Sequence, residues 1–196
     1  MGIRQVDQPL DIDVHPFPVQ RRLGQVLDQR RNAVPVPAVQ RPERQSGVAP
    51  PGMPSAFVLQ HHLDPFAQVV ATAAVRGSWV LDPDPCGWWI TLEPTYLYPV
   101  RVRVAKGESR QVEDVADRLD AAAAGYRATG RRIAEAFPAT EKMSSRQRLG
   151  MVDDMWEKAI HRLVGGPPPQ RESCCLMYAL SGLTECTGCP RSPRAL

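Results

Sequence analysis

The sequence has no long apolar run, no strong net charge and no glycine-rich nucleotide or flavin motif, and each absence excludes a class of protein. The longest apolar stretch, residues 66–75, contains Gln68 and stops at Arg76, whereas a membrane-spanning helix needs about 20 apolar residues. No early segment has the charged-then-apolar profile of a signal peptide. A formal net charge of +3 is too small to indicate a nucleic-acid partner. We therefore expect a soluble, cytoplasmic protein.

Cysteine is scarce over most of the chain and concentrated near its end. Four of the five cysteines fall within residues 171–190, namely Cys174, Cys175, Cys186 and Cys189. So many thiols in one short segment indicate a metal or metal-sulfur centre, and a reducing compartment suits free thiolates. The fifth, Cys86, stands alone and is predicted to be a small core or turn residue.

The spacer between the two cysteine pairs predicts a short helix. Ser173 is a favourable N-cap, leucines recur at helical spacing, and Gly182 suits the left-handed residue that ends a helix. We predict a helix over residues 174–181, whose first turn would place two thiolates at the positive end of the helix dipole. Gly188 would permit a tight turn within the second cysteine pair.

Three chemistries compete for these thiols. A disulfide between adjacent cysteines is disfavoured, because their Cα atoms lie about 3.8 Å apart and unstrained bridges need about 4.4–6.8 Å. Structural zinc accepts four thiolates, although an adjacent cysteine pair is not one of its usual spacings. A [2Fe–2S] cluster also accepts four thiolates. The chemistry of the residues leaves zinc and the cluster open.

The cysteine arrangement resembles the C-terminal motif of the FhuF-like ferric siderophore reductases. An adjacent cysteine pair is followed after ten residues by C-x-x-C, within Arg-Glu-Ser-Cys-Cys-Leu-x-Tyr and a closing Cys-Pro. The similarity extends upstream through residues 145–151 and 79–83, and so covers the chain from about Ser55 to Cys189. It implies a [2Fe–2S] cluster on the four matching cysteines, which are Cys174, Cys175, Cys186 and Cys189.

The resemblance also implies an activity in iron acquisition. A member of this family passes one electron to a ferric siderophore and releases the metal as ferrous iron. Because no nucleotide or flavin motif is present, we expect a separate electron donor. Peripheral contact with the inner face of the membrane is a further expectation. Arg171, Arg146 and Arg148 are candidates to tune the cluster or to contact an anionic siderophore.

Composition divides the chain at about residue 55. Residues 1–54 are rich in Pro, Gln and Arg, and we expect little packed structure there, or a segment that diverges from the family. Residues 55–196 are expected to form the domain that carries the cysteine motif, residues 171–190. Two alternatives are a zinc-stapled binding or regulatory module, and a truncated cluster protein without reductase activity.

The predicted fold class is α+β: a mainly helical single domain with a β-hairpin and a C-terminal helix-plus-loop iron-sulfur motif. The hairpin is expected over residues 88–93 and 99–104, which are rich in aromatic and β-branched residues. A first helix is expected to be interrupted near Asp64-Pro65. A second should begin near Gly107 or Ser109, break at Gly130 and stop before Pro138. A third should run from a cap at Ser144 or Ser145 to Gly165-Gly166.

Overall fold

Three long helices and a set of short antiparallel strands make up the described part of the chain. A computed structural model describes residues 11–13, 20–22, 49–81, 88–92, 99–104, 109–139, 141–180 and 182–192. In chain order, the elements are β1 (Asp11–Asp13), β2 (Gln20–Arg22), α1 (Met53–Arg76), β3 (Trp79–Leu81), β4 (Trp88–Leu92), β5 (Pro99–Val104), β6 (Ser109–Gln111), α2 (Val115–Ala136) and α3 (Ser145–Val164).

Helix α1 runs without a break through Pro65, so the predicted interruption is wrong. An internal proline costs about 3 kcal/mol, because it removes a backbone hydrogen bond and crowds the preceding turn. Burial offsets this cost, since Leu63 and Phe66 on either side of the proline are 0% and 1% exposed. Asp64 also accepts a hydrogen bond from Lys158 of α3, at 2.8 Å. Packing against α3 therefore keeps the helix continuous.

Helix α2 begins later than predicted and does not break at Gly130. Residues 109–111 form strand β6, and the helix begins after Asp114, whose side chain accepts a hydrogen bond from the Asp117 N–H at 2.9 Å. At Gly130, an added Cβ would lie 2.7 Å from a Val152 methyl carbon of α3. Gly130 thus permits close helix packing instead of ending the helix. The predicted stop before Pro138 is confirmed.

The ends of α3 agree with the sequence prediction. Ser144 caps the helix by accepting a hydrogen bond from the Gln147 N–H at 3.1 Å. Gly165 ends it with a φ of 82°, in the region that favours glycine. Both signals are local, and the packing of α3 does not override them.

The predicted hairpin is confirmed as β4 and β5, which pair in antiparallel orientation with Ile90 opposite Val102. Val100 and Val102 are buried, so β5 has the apolar face that its alternating sequence predicts. Strands β1 and β2 extend the hairpin on its two sides, giving the order β1-β5-β4-β2. A second sheet pairs β3 with β6.

Part of the segment predicted to have little packed structure therefore contributes to a sheet. At its other end, Met53 and Pro54 belong to helix α1, which therefore begins before the expected boundary at residue 55. The prediction for residues 1–10, 14–19 and 23–48 lies outside the described residues. The same holds for the prediction about Cys86.

The core lies between the three helices and one face of the sheets. Tyr126 of α2 stacks against Trp156 of α3 and contacts Phe66 of α1 with its ring tilted, at centroid distances of 5.5 and 5.1 Å. This arrangement of helices with antiparallel strands confirms the α+β class. Within the described residues, no helix is long and apolar enough to cross a membrane.

Candidate metal centre

The first cysteine pair lies in an irregular segment, and the predicted helix over residues 174–181 is wrong. Within the described residues 174–180, only Met177–Ala179 forms a helical turn, a short 3-10 one, and Leu176 before it has a φ of 63°. The Ser173 hydroxyl does not cap a helix; it accepts a hydrogen bond from Arg171 and donates one to the Asp154 carboxylate. The Leu176 N–H donates instead to the sulfur of Cys174, at 3.4 Å. A helix dipole therefore does not stabilise these thiolates.

The second cysteine pair forms the predicted tight turn. The Cys189 N–H donates to the Cys186 carbonyl at 2.9 Å, and Gly188 between them has a φ of 70°. A Cβ at Gly188 would lie 2.2 Å from the Pro169 carbonyl oxygen, so only glycine lets the turn approach this backbone. This close approach holds the second pair beside the segment that leads into the first.

Two further hydrogen bonds fix that contact. The Arg171 N–H donates to the Gly188 carbonyl at 2.7 Å, and the Gln170 side chain donates to the Cys189 carbonyl at 2.7 Å. Both donors immediately precede the first cysteine pair in the chain. Hydrogen bonds to backbone carbonyls therefore hold the two cysteine pairs next to each other.

The thiols of Cys175 and Cys186 are in contact, with their Sγ atoms 3.5 Å apart. A disulfide would need about 2.05 Å, and these cysteines are free. Two thiolates on one tetrahedral metal, with bonds of about 2.3 Å, would lie roughly 3.8 Å apart. The observed distance fits such an edge. Cys175 and Cys189 are buried, whereas Cys174 and Cys186 are partly exposed.

Burial raises the pKa of the Cys186 thiol to about 11, and its interaction with Cys175 adds to the shift. Burial also raises the pKa of Cys174, with smaller contributions from the neighbouring Cys175 and Cys189 thiols. A bound cation would reverse the shifts, because coordination requires the thiolate.

The four thiols fit a four-thiolate centre in donor type and number, and one edge fits in length. Across the described parts of the chain, however, no three His, Cys, Asp or Glu side chains are grouped so that they could hold a metal ion. The donor atoms fit zinc and a [2Fe–2S] cluster equally well. In the structure, one sulfur pair, Cys175 and Cys186, has the spacing of two ligands on one metal.

Arg171 lies directly against the thiols. Its guanidinium donates to Cys186 Sγ at 3.7 Å and to the Gln60 side-chain oxygen of α1 at 3.2 Å. It also forms an ion pair with Asp154 at 3.2 Å, in which the two side chains are 14% and 2% exposed. Burial alone would lower the pKa of Arg171, but Asp154 and the thiols of Cys175 and Cys186 raise it. The guanidinium is a fixed positive charge beside the sulfurs.

The other two candidate arginines have different surroundings. Arg148 donates to the carbonyls of Ala134 and Phe137 at 2.9 and 2.7 Å, and so ties the end of α2 to α3. Arg146 is exposed on the first turn of α3. A role for either residue toward a cluster or a siderophore stays a prediction, whereas Arg171 has direct contact with a thiol.

Sequence reasoning missed the face of α3 that carries the motif. Gln147 donates to the Cys174 carbonyl at 2.9 Å, and Asp154 accepts from the Glu172 N–H at 2.6 Å. Gly150 lies between them, and a Cβ added there would be 3.3 Å from the Glu172 Cβ. The absence of a side chain at Gly150 therefore lets the cysteine segment pack closely against α3. Residues 147, 150 and 154 share one helix face. In the sequence, the signal for this contact was the acidic Asp154 close to the apolar residues Met151, Val152 and Met155.

Chemically, the segment offers soft sulfur donors, a mostly buried positive charge, and two thiols that are partly exposed to solvent. Soft thiolates select zinc or iron-sulfur clusters over hard cations. The positive charge of Arg171 favours a centre that gains negative charge. No family model, curated protein or solved structure matches the chain.

Proposed function

We propose that the chain is an electron-transfer protein that reduces the iron of ferric siderophores. In this proposal, four cysteines hold a [2Fe–2S] cluster, which supplies one electron at a time when bound. The ligands are Cys174, Cys175, Cys186 and Cys189. The motif resemblance favours a cluster over zinc. The single structural observation that carries a redox role is the mostly buried guanidinium of Arg171, which lies 3.7 Å from Cys186 Sγ.

The charge of the centre explains why this arginine matters. Two ferric ions, two sulfides and four thiolates sum to a charge of about −2, which becomes roughly −3 on reduction. A nearby positive charge stabilises the more negative state, and the effect is strong where water is excluded. Arg171 is therefore a side chain that favours reduction of a cluster, although it would also offset the charge of about −2 on a four-thiolate zinc site.

The substrate is the one that the motif resemblance implies, and the preferences of iron explain how one electron would release the metal. Hard oxygen donors of a siderophore favour the ferric ion, and one electron weakens that preference so that ferrous iron leaves. The partly exposed Cys174 and Cys186 mark the edge at which a bulky chelate and a separate electron donor would meet the centre. The released ferrous iron would serve intracellular iron supply.

Two alternatives keep the same ligands. A zinc-stapled module would use the four thiols without redox activity, because zinc has no accessible second oxidation state. A truncated cluster protein would hold the cluster but lack reductase activity. The 3.5 Å sulfur pair fits both.

The test is reoxidation of the reduced, cluster-loaded protein by a ferric siderophore. We expect the reduced spectrum to disappear and about one ferrous ion per electron to be captured by a ferrous-specific chelator. The gallium complex of the same siderophore is the control, because gallium(III) resembles ferric iron but does not accept the electron. Protein that stays reduced for hours with hydroxamate, catecholate and mixed siderophores would rule out the reductase.

A further inference from the structure

Asp154 is a buried acid on α3 that binds the segment leading into the cysteines. Its carboxylate accepts hydrogen bonds from the Glu172 N–H at 2.6 Å and the Ser173 N–H at 3.1 Å. It also accepts from the Ser173 hydroxyl and from Arg171 Nε, the latter at 3.2 Å. These four donors satisfy a carboxylate that is almost fully removed from water. All of them belong to three consecutive residues just before Cys174.

These contacts determine where the Arg171 guanidinium points. Asp154 holds Nε, while Gln60 and Ser173 accept from one terminal nitrogen at 3.2 and 3.3 Å. The other terminal nitrogen is directed to Cys186 Sγ at 3.7 Å. Because a guanidinium is planar and its donors diverge, fixing two sides also fixes the third. The positive charge therefore lies on the side of the Cys175–Cys186 pair.

We propose that Asp154 is a positioning residue that fixes Arg171 against the Cys175–Cys186 edge and thereby raises the midpoint potential of the centre. The inference rests on the proposed cluster, but not on its substrate. Asp154 touches none of the cysteines in the contacts described, so it acts through Arg171. The reduced state is stabilised by a guanidinium that the fold holds in place.

The sign of the effect separates positioning from a simple charge effect. The Asp154 carboxylate is negative, so neutralising it would by itself make the site more positive and raise the potential. If Asp154 instead holds Arg171 in place, the same change releases the guanidinium and lowers the potential. Asp154→Asn therefore gives opposite results under the two explanations.

The experiment is a redox titration of the full-length, cluster-loaded protein, followed by absorption and electron paramagnetic resonance. We expect Asp154→Asn and Arg171→Gln each to lower the equilibrium constant for reduction about ten-fold, which is 59 mV for one electron. The double variant should show no further loss beyond Arg171→Gln, because the two residues act as one unit. The control is Asp153→Asn, whose carboxylate pairs with Arg127 at 2.7 Å and should leave the potential unchanged.

Asp154→Glu gives a second, milder test, because it keeps the charge but moves the carboxylate by one methylene. A lowered potential supports positioning, and an unchanged one contradicts it. A raised or unchanged potential in Asp154→Asn would also overturn the inference. The inference would also be overturned if Arg171→Gln bound the cluster and neither Asp154 variant did, since Asp154 would then only support folding of the segment. If the wild-type protein holds no cluster, the proposed function fails first.

Discussion

At the scale of single residues, Cys186 has the most informative surroundings of the four thiols. Its sulfur lies 3.5 Å from Cys175 Sγ and 3.7 Å from the Arg171 guanidinium. The pKa of about 11 means that the metal-free thiol is protonated at neutral pH. Binding of a metal centre must therefore release protons, and the affinity should rise with pH.

The ligand set predicts a contrast between two cysteine substitutions. Cys186→Ser should impair cluster assembly or strongly alter the absorption spectrum, because serine replaces a thiolate by a hard, poorly matched oxygen. Cys86→Ser is the matched control and should leave the spectrum nearly unchanged. Iron content and the visible spectrum of both variants check this. Loss of the cluster in Cys86→Ser, with retention in Cys174→Ser, would contradict the assignment.

The residues of the site differed in how far sequence could predict them. The cysteines and Arg171 are neighbours in the chain, so their composition and spacing were visible. Asp154 and Gln147 were not predicted, because they reach the motif across 17 and 27 residues. A contact of that kind depends on how α3 packs against the segment. In the sequence, this contact is indicated only by the position of an acidic residue on an apolar helix face.

At the scale of elements, α3 supports the motif along one face and the core along another. Gln147, Gly150 and Asp154 face the cysteine segment, while Met151 and Met155 are fully buried in the core. This division follows from the helical period of 3.6 residues. The cysteine segment and the core are therefore coupled through one helix.

Element boundaries were predictable where the signal was local. The Ser144 cap and the Gly165 end were confirmed, because both depend on hydrogen bonds and backbone angles within the element. The breaks predicted at Pro65 and Gly130 were wrong, because packing between helices outweighs their local preference. The predicted helix over residues 174–181 was wrong because Asp154 binds the hydroxyl of Ser173, the expected N-cap, and Leu176 has a positive φ of 63°.

The turn of the second cysteine pair predicts a difference between two glycines. Gly188 and Gly182 have similar positive φ angles, of 70° and 77°. A Cβ at Gly188 would lie 2.2 Å from the Pro169 carbonyl oxygen, whereas at Gly182 it would meet nothing within 4 Å. Gly188→Ala should therefore greatly reduce cluster loading, and Gly182→Ala should cost only about 1 kcal/mol of backbone strain.

Iron and sulfide content of the two glycine variants, with their thermal unfolding, separates these effects. Both substitutions introduce a side chain at a positive φ, so a difference between them reports the contact with Pro169. Equal loading of the two variants would show that the turn does not need this close approach.

At the scale of the whole molecule, several distant parts of the chain meet at the cysteine segment. Gln60 of α1 and Asp154 of α3 both bind Arg171. On another side, Leu180 packs with Ala49 and Met53 at the start of α1 in a second apolar cluster. A bound centre should therefore stabilise the native fold as well as its own segment.

The α+β class and the hairpin were predictable from patterning, since apolar periodicity reports burial on one face. Strands β1 and β2 were not, because the proline-rich composition around them argues against regular structure. They pair with β5 and β4, and such long-range pairing leaves little trace in a short strand. Composition alone underestimates edge strands of this kind.

The most direct test of a redox cluster on these cysteines is the iron, acid-labile sulfide and zinc content of anaerobically purified protein from iron-replete cells. We predict about two irons and two sulfides per chain, with a reddish-brown colour that bleaches on reduction, because four thiolates satisfy one such cluster. Stoichiometric zinc without sulfide, in a colourless protein, would contradict the account and identify a structural module.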